Sequence, residues 1–352
     1  MTSTDNRKDA NYVQNNHVRP RSLYTAHSYH GENDESNYPR YNDITKYFDH
    51  TSSEQWNSNL RWRQLRSAGS KSTVVPSFYP AEDGPPSIYA DKWREITDSS
   101  ELSQGAAIAT PTGIMSLRLH DRIRVDMTID KAIRVINAKN NIVLALSGSG
   151  SAAALMHPNG RVYQYGSRVE IVAHDINHGN NKYAKMWYKG VSFTSEQCAL
   201  VYLVDTAGTR TTTDTFTDMS QDFSLSVFYA ESRYGAQYID DAIGILETAQ
   251  YWVTEEGIEN WIINNLRISR APKDGLLRIA RNSNKYQIRT SPANGNASLT
   301  TPFVHCTASL GQTSHLFVRR GERRMHYDGA SFIVRNAGHS AGFDDKNQLK
   351  VY

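Results

Sequence analysis

From about Gly105 onward, apolar and polar residues alternate along the chain. Ile123, Val125, Met127 and Ile129 are separated by Arg124, Asp126 and Thr128. A period of two predicts a strand with one buried face. Continuous apolar runs follow at 132–136 and at Ile142–Leu146. Pro158-Asn159-Gly160 reads as a hairpin turn, with Asn-Gly supplying the positive φ angles that tight turns need. Beyond it, Tyr163, Tyr165, Val169 and Ile171 are predicted to share one face. Further strands are predicted at 183–188 and 199–204, the latter as the centre of a sheet. A second series falls at 276–280, 286–289, 303–306, 316–318 and 331–334, with turns at Asp274-Gly275, Asn294-Gly295 and Asp328-Gly329. Strands joined by short turns predict an antiparallel meander.

One stretch has a different period. Ile239, Ala242, Ile243, Leu246, Ala249 and Val253 recur at three and four, with Asp240 and Asp241 where a helix dipole favours acids. This predicts an amphipathic helix over 239–253 and a second helical stretch through Trp261 and Ile262. The fold class is therefore α+β, mainly antiparallel β, with two β-rich halves joined by an amphipathic helix. The boundaries fall at 1–104 for an N-terminal arm, 105–235 for the first β module, and 236–352 for the helix and second module. Met156-His157-Pro158-Asn159-Gly160 and Met325-His326-Tyr327-Asp328-Gly329 hint at a duplicated unit.

The arm lacks this patterning. It is rich in Asn, Ser, Tyr, Asp and Arg and poor in aliphatics, a composition that predicts disorder because burial would not offset the ordering entropy. Two aromatic islands interrupt it. Ile44, Tyr47 and Phe48 form one, and Trp56, Leu60 and Trp62 the other, with Arg61, Arg63 and Arg66 interleaved. Tyr47, Phe48, Trp56, Leu60 and Trp62 are candidate partner-binding residues. They suit either recognition motifs that fold on a partner or an arm packed on the chain's own body.

Composition narrows the class. A 39% hydrophobic content and a formal charge of +3 over 352 residues require no nucleic-acid partner. Cys198 and Cys306, each in an apolar run, suggest free thiols in a reducing compartment. The first residues contain no apolar signal-like stretch, and no run approaches the roughly 18 residues of a membrane span. Cytoplasm, or else nucleus, is expected. Asn296-Ala297-Ser298 fits a glycosylation sequon, but without an export signal it reads as a turn.

Chemistry-bearing motifs are few. Gly148-Ser149-Gly150-Ser151-Ala152-Ala153 matches the dinucleotide fingerprint, with Glu170 at about the ribose-binding distance. The fingerprint needs a following helix to hold a pyrophosphate. Only Ser151 to His157 is free before the Pro158 turn, so a Gly/Ser hairpin is the better reading, and a nucleotide-binding enzyme is carried only as an alternative. His174, Asp175 and His178 share a loop, and His305 precedes Cys306 on a strand whose neighbours point to opposite faces. His326 and Asp328 could join Ser309 or Ser314 in a triad only if geometry allowed it. No catalytic residue, metal ligand or cofactor is assigned, and the chain reads as a non-enzyme. The strongest charged feature is Arg319, Arg320, Arg323 and Arg324 around Gly321-Glu322. At a hairpin tip these could grip phosphate or the carboxylates of an acidic partner.

The run Ala154-Leu155-Met156-His157-Pro158-Asn159-Gly160-Arg161-Val162-Tyr163-Gln164-Tyr165 resembles the strand–turn–strand hairpins of testis-expressed animal proteins. The chain as a whole is similar to fly male-germline proteins, and its sheet–helix–sheet order to tandem polo-box modules. That resemblance implies a part in male meiosis and cytokinesis, through mitochondrial aggregation or fusion and spindle or contractile-ring assembly. It transfers no site residue. The residues themselves predict an adaptor or scaffold acting through protein partners, with RNA or phosphate binding by the arginine cluster as the alternative.

Overall fold

The computed structural model describes residues 105–352. The arm and its candidate contacts Tyr47, Phe48, Trp56, Leu60 and Trp62 lie outside the described residues. Two 12-stranded antiparallel sheets make up the fold, each with its strands hydrogen-bonded in sequence order. The first opens with β1 (Ala107–Ala109), β2 (Met115–Leu119), β3 (Ile123–Met127), β4 (Ile133–Asn137), β5 (Ile142–Leu146) and β6 (Ala152–His157). It continues with β7 (Gly160–Tyr165), β8 (Arg168–Ala173), β9 (Lys182–Trp187), β10 (Gly190–Ser195), β11 (Val201–Asp205) and β12 (Gly208–Thr212). Two short helices follow, α1 (Ser224–Tyr229) and α2 (Ile239–Glu247).

The second sheet begins with β13 (Gln250–Val253), β14 (Glu259–Ile263), β15 (Leu266–Arg270), β16 (Leu277–Arg281), β17 (Tyr286–Thr290) and β18 (Ala297–Thr300). It ends with β19 (His305–Ser309), β20 (His315–Arg320), β21 (Arg323–Tyr327), β22 (Phe332–Asn336), β23 (His339–Phe343) and β24 (Leu349–Val351).

The sheets pack face to face on one continuous apolar core, with Leu144, Val162 and Phe193 from the first meeting Ile288, Leu316 and Phe332 from the second. Side chains at the strand ends stitch the seam. Asn137 Nδ2 donates to Thr290 Oγ1 at 3.0 Å, and Asn336 Nδ2 to the Val204 carbonyl at 3.1 Å. His157 has a defined tautomer: Nδ1 accepts from the Asn159 N–H at 3.0 Å, and Nε2–H donates to the Gly295 carbonyl at 3.0 Å. Burial above all, and then the positive fields of His315 and His174, lower the His157 pKa to about 4.

The mainly antiparallel β reading holds, but the joining helix does not have the predicted form. It stops at Glu247, and Gln250–Val253 forms edge strand β13. Within it only Ala242 is fully buried; Ile243 is 43% exposed. Pairing of Gln250 with Ile262 and of Val253 with Glu259 outweighs the helical spacing, a tertiary override of local pattern. For the same reason Trp261 and Ile262 lie on β14, not on a helix. The shared face of Tyr163, Tyr165, Val169 and Ile171 is also corrected. Val162 pairs with Ile171 and Tyr163 with Glu170, so the two tyrosines point away from the inter-sheet core. The run at 199–204 is β11, next to the edge strand β12 and not at the centre of the sheet. Cys198 sits in the turn before β11 and is only partly buried.

Candidate functional site

The two outward faces of the sandwich differ. The first sheet's outer face is covered by residues 213–229, which fold back across it. Met219, Phe223 and Val227 bury themselves against Ile136, Ala145, Ala154 and Tyr163, and the Phe223 ring lies 5.1 Å from that of Tyr163. Each such burial stabilises by about 1.5–3 kcal/mol. Charges beneath this strap are paired. Lys185 bridges to Asp214, Arg134 to Asp222 at 3.1 Å, and Glu170 accepts from the Thr217 N–H at 2.8 Å. Strands β5 and β6 are consequently buried at every position.

The second sheet's outer face has no such cover among the described residues. Its central strands alternate, β15 and β16 both running buried–exposed–buried–partly buried–buried. The outward positions include Arg267, Arg278 and Arg289 towards one end, and Arg319, Arg324 and Arg335 towards the other. All six are exposed, and none makes an ion pair among the described residues. Arg278 stands directly opposite Arg289, while Arg324 lies between Arg319 and Arg335 in register. No Asp or Glu occupies an outward position on any of these twelve strands. Glu259 points inward, where it accepts from Arg270 at 2.9 Å. The face's positive field reaches His305, whose pKa is held below its ordinary value by burial first, then by Arg319 and Arg289.

At the β13 end this face dips into a depression of about 620 Å³. Its lining includes Trp252, Ile262, Ser269, Gln287 and the three arginines Arg267, Arg278 and Arg289. Trp252 is 44% exposed. Guanidinium forks over a partly apolar floor can take carboxylates or phosphates bidentately, with the tryptophan covering an apolar or planar group.

The sequence-predicted arginines are split by the register. They do lie at a hairpin, β20 to β21, as expected. Arg319 and Arg324 point outward, whereas Arg320 and Arg323 pair on the opposite face. Arg323 donates to the Tyr188 carbonyl at 3.3 Å, and burial lowers the pKa of both Arg320 and Arg323. Thus the predicted quartet supplies two members of the face, and Arg267, Arg278, Arg289 and Arg335 were not singled out from sequence. A signal existed: Leu-Arg-Ile recurs eleven residues apart at 266–268 and 277–279, and Arg289 lies eleven beyond Arg278.

The other candidates resolve into structure. Gly148 and Gly150 form the β5–β6 hairpin, and Ala152–His157 is a strand, so no helix N-terminus faces a phosphate. A Cβ on Gly150 would strike the Tyr286 ring, and one on Gly148 would stand 2.7 Å from the Asp130 carbonyl. Arg281 caps this turn, donating to the Lys131, Ser147 and Gly148 carbonyls at 2.7, 3.1 and 3.0 Å. The glycines therefore serve close packing at the seam. Ser309 Oγ lies 2.7 Å from Nδ1 of His315, not near His326, and Asp328 accepts from the Ala330 and Ser331 N–H groups. Asp175 pairs with buried Lys182 at 2.6 Å and with His178 at 3.1 Å. Among the described residues no three His, Cys, Asp or Glu side chains converge as a metal site, and no helix is long and apolar enough to cross a membrane.

Residues 106–349 match the family described as Domain of unknown function (DUF8796), and the chain belongs to that family. No curated protein matches it. Among solved structures, the G-box domain of the microcephaly protein CPAP is 10% identical with a TM-score of 0.25, covering 65% of this chain and 97% of that one. The Danio rerio CPAP TCP10 domain is 9% identical with a TM-score of 0.20, over 70% and 99% of the two chains. The Drosophila melanogaster SAS-4 TCP domain, solved with a proline-rich motif of Ana2, is 12% identical with a TM-score of 0.17, over 65% and 88%. TM-scores this low carry no inference about the present chain.

Proposed function

We propose that this protein is a non-enzymatic adaptor whose second sheet holds an acidic segment of a protein partner on its open face. One observation carries the reading: six exposed arginines share an uncovered face with no carboxylate among them. Like charges placed directly opposite on a sheet cost about 0.2–1 kcal/mol each, so folding alone favours mixing the signs. Partner carboxylates would relieve that repulsion. Trp252, Phe317 and Ile333, between the arginines, give apolar side chains of the same segment somewhere to rest. In the arm, Tyr47, Phe48, Trp56, Leu60 and Trp62 offer a second contact, which makes the chain a bridge and not a single-site binder.

Anisotropy of a labelled Glu-rich peptide with interspersed Leu, titrated with the full chain, tests the face. Replacing Arg278, Arg289 and Arg324 together by Ala is expected to weaken binding about tenfold or more, since charged pairs of this kind contribute of order 1 kcal/mol each. Equal affinity in the variant would end the proposal. Tighter binding of single-stranded RNA than of the peptide, with a steep salt slope flattened in the variant, would transfer the face to phosphate. The finer reading is a cytoplasmic role in male-germline meiosis and cytokinesis, with mitochondrial aggregation or fusion and spindle or contractile-ring assembly. It rests on the resemblance of the β6–β7 hairpin sequence, and imaging of the tagged protein in dividing spermatocytes tests it.

A further inference from the structure

We propose that residues 82–102 of this same chain lie across the arginine-lined depression at the β13 end of the second sheet and compete there with an outside acidic partner. The inference rests on the reading of that face as a site for acidic chain, and adds its resident occupant.

Three observations carry it. First, the described chain starts at the β13 end of the second sheet, on the core side of the strands whose outer face carries the depression. The Gly105 carbonyl accepts from Trp261 Nε1 at 3.0 Å, and Trp261 lies on β14, one strand in from the edge strand β13. About six extended residues span roughly 20 Å, enough to pass two strand spacings of about 4.8 Å and turn round the β13 edge to the outer face. The chain before Gly105 is therefore long enough for residues up to about 98 to come over Trp252 and Arg267.

Second, charge selects the segment. Glu82, Asp83, Asp91, Glu95, Asp98 and Glu101 stand against only Lys92 and Arg94, whereas residues 1–81 hold ten Lys or Arg and eight Asp or Glu. The acids of the arm are concentrated in the stretch nearest the depression, whose lining includes Arg267, Arg278 and Arg289 and no acid. Third, Tyr89, Trp93 and Ile96 are interleaved with those acids. They match an exposed Trp252 and a half-buried Ile262 on the floor of the depression. Tethering gives the segment an effective concentration in the millimolar range, so weak individual contacts suffice to hold it and to raise the affinity an outside partner needs.

Arginine footprinting with phenylglyoxal on the full chain, read by peptide mass spectrometry, tests this. Arg319, Arg324 and Arg335, farther along the same face, serve as internal controls. At low salt Arg267, Arg278 and Arg289 are expected to react about threefold more slowly than the controls. That difference should vanish at ~0.5 M salt and in the full-length variant carrying Glu95→Lys, Asp98→Lys and Glu101→Lys. Equal reactivity of the two sets in the wild type at low salt would overturn the proposal, as would protection that persists in the variant or grows with protein concentration. Adding the Glu-rich peptide separates the two ideas. If the peptide protects the arginines equally in wild type and variant, the face still binds acidic chain and only the resident segment is lost. If it protects neither, both readings fall.

Discussion

The two sheets are built alike and finished differently. Each has twelve antiparallel strands in sequence order, and each turns one apolar face to the shared core. On the first sheet, the middle of the outward face is apolar as well, sealed by the strap at 213–229, and Lys185 and Arg134 beside it are neutralised by Asp214 and Asp222. The second sheet leaves its outward face open and its six arginines without ion pairs among the described residues. A closed face adds stability and offers nothing to a partner. An open, single-sign face sacrifices a little stability and keeps its binding groups available.

Breaking the seal should have the largest effect. Phe223 is only 3% exposed. Phe223→Ala is expected to destabilise by about 3–5 kcal/mol through the cavity it leaves against Tyr163, seen as a lower denaturation midpoint. A change that leaves the midpoint where it was would mean that the strap is an ornament and the two faces are equivalent. The buried pair beneath it comes next. Lys185→Met strands Asp214 in an apolar setting, with an expected loss of about 3 kcal/mol; the double change with Asp214→Leu should recover most of it.

Acid should act most strongly at the seam, through His157. His157 is neutral in the fold with its pKa lowered to about 4, against an ordinary value of 6.5. The unfolded chain therefore binds the extra proton first. Its contribution is fully present above pH 6.5 and is lost as pH falls towards 4, a loss on the order of 3 kcal/mol. Denaturation at pH 7 and pH 4.5 should show that loss in the wild type and a shallower one in His157→Asn. Identical slopes would remove His157 as the cause. The smallest effect is expected on the open face, where Arg324→Thr relieves repulsion from Arg319 and Arg335. Stability should hold or rise by about 0.2–1 kcal/mol, while affinity for the acidic peptide falls. A clear destabilisation would show that the ladder is structural.

Much of this contrast was present in the residues. Ile142–Leu146 is apolar at every position, the mark of a strand covered on both sides, and β15 and β16 alternate cleanly, as a strand open on one side must. The hairpin at Pro158-Asn159 and the strand nature of 286–289 were legible for the same reason. The helix at 239–253 misled because its periodic positions satisfy a helix until Gln250, where edge pairing with β14 takes over. The arginine quartet misled differently. Four neighbours in sequence look like one cluster, but period two sends Arg320 and Arg323 to the far side from Arg319 and Arg324.

Alternation and turn chemistry alone determined that this chain makes antiparallel strands, which residues of its cleanly alternating strands share a face, and that the second half carries regularly spaced arginines. Tertiary structure decided which outward face was covered and which arginines met across strands. A period of two tells which side of a strand is apolar; it contains no information about what lies over the other side, and register is settled only when strands pair.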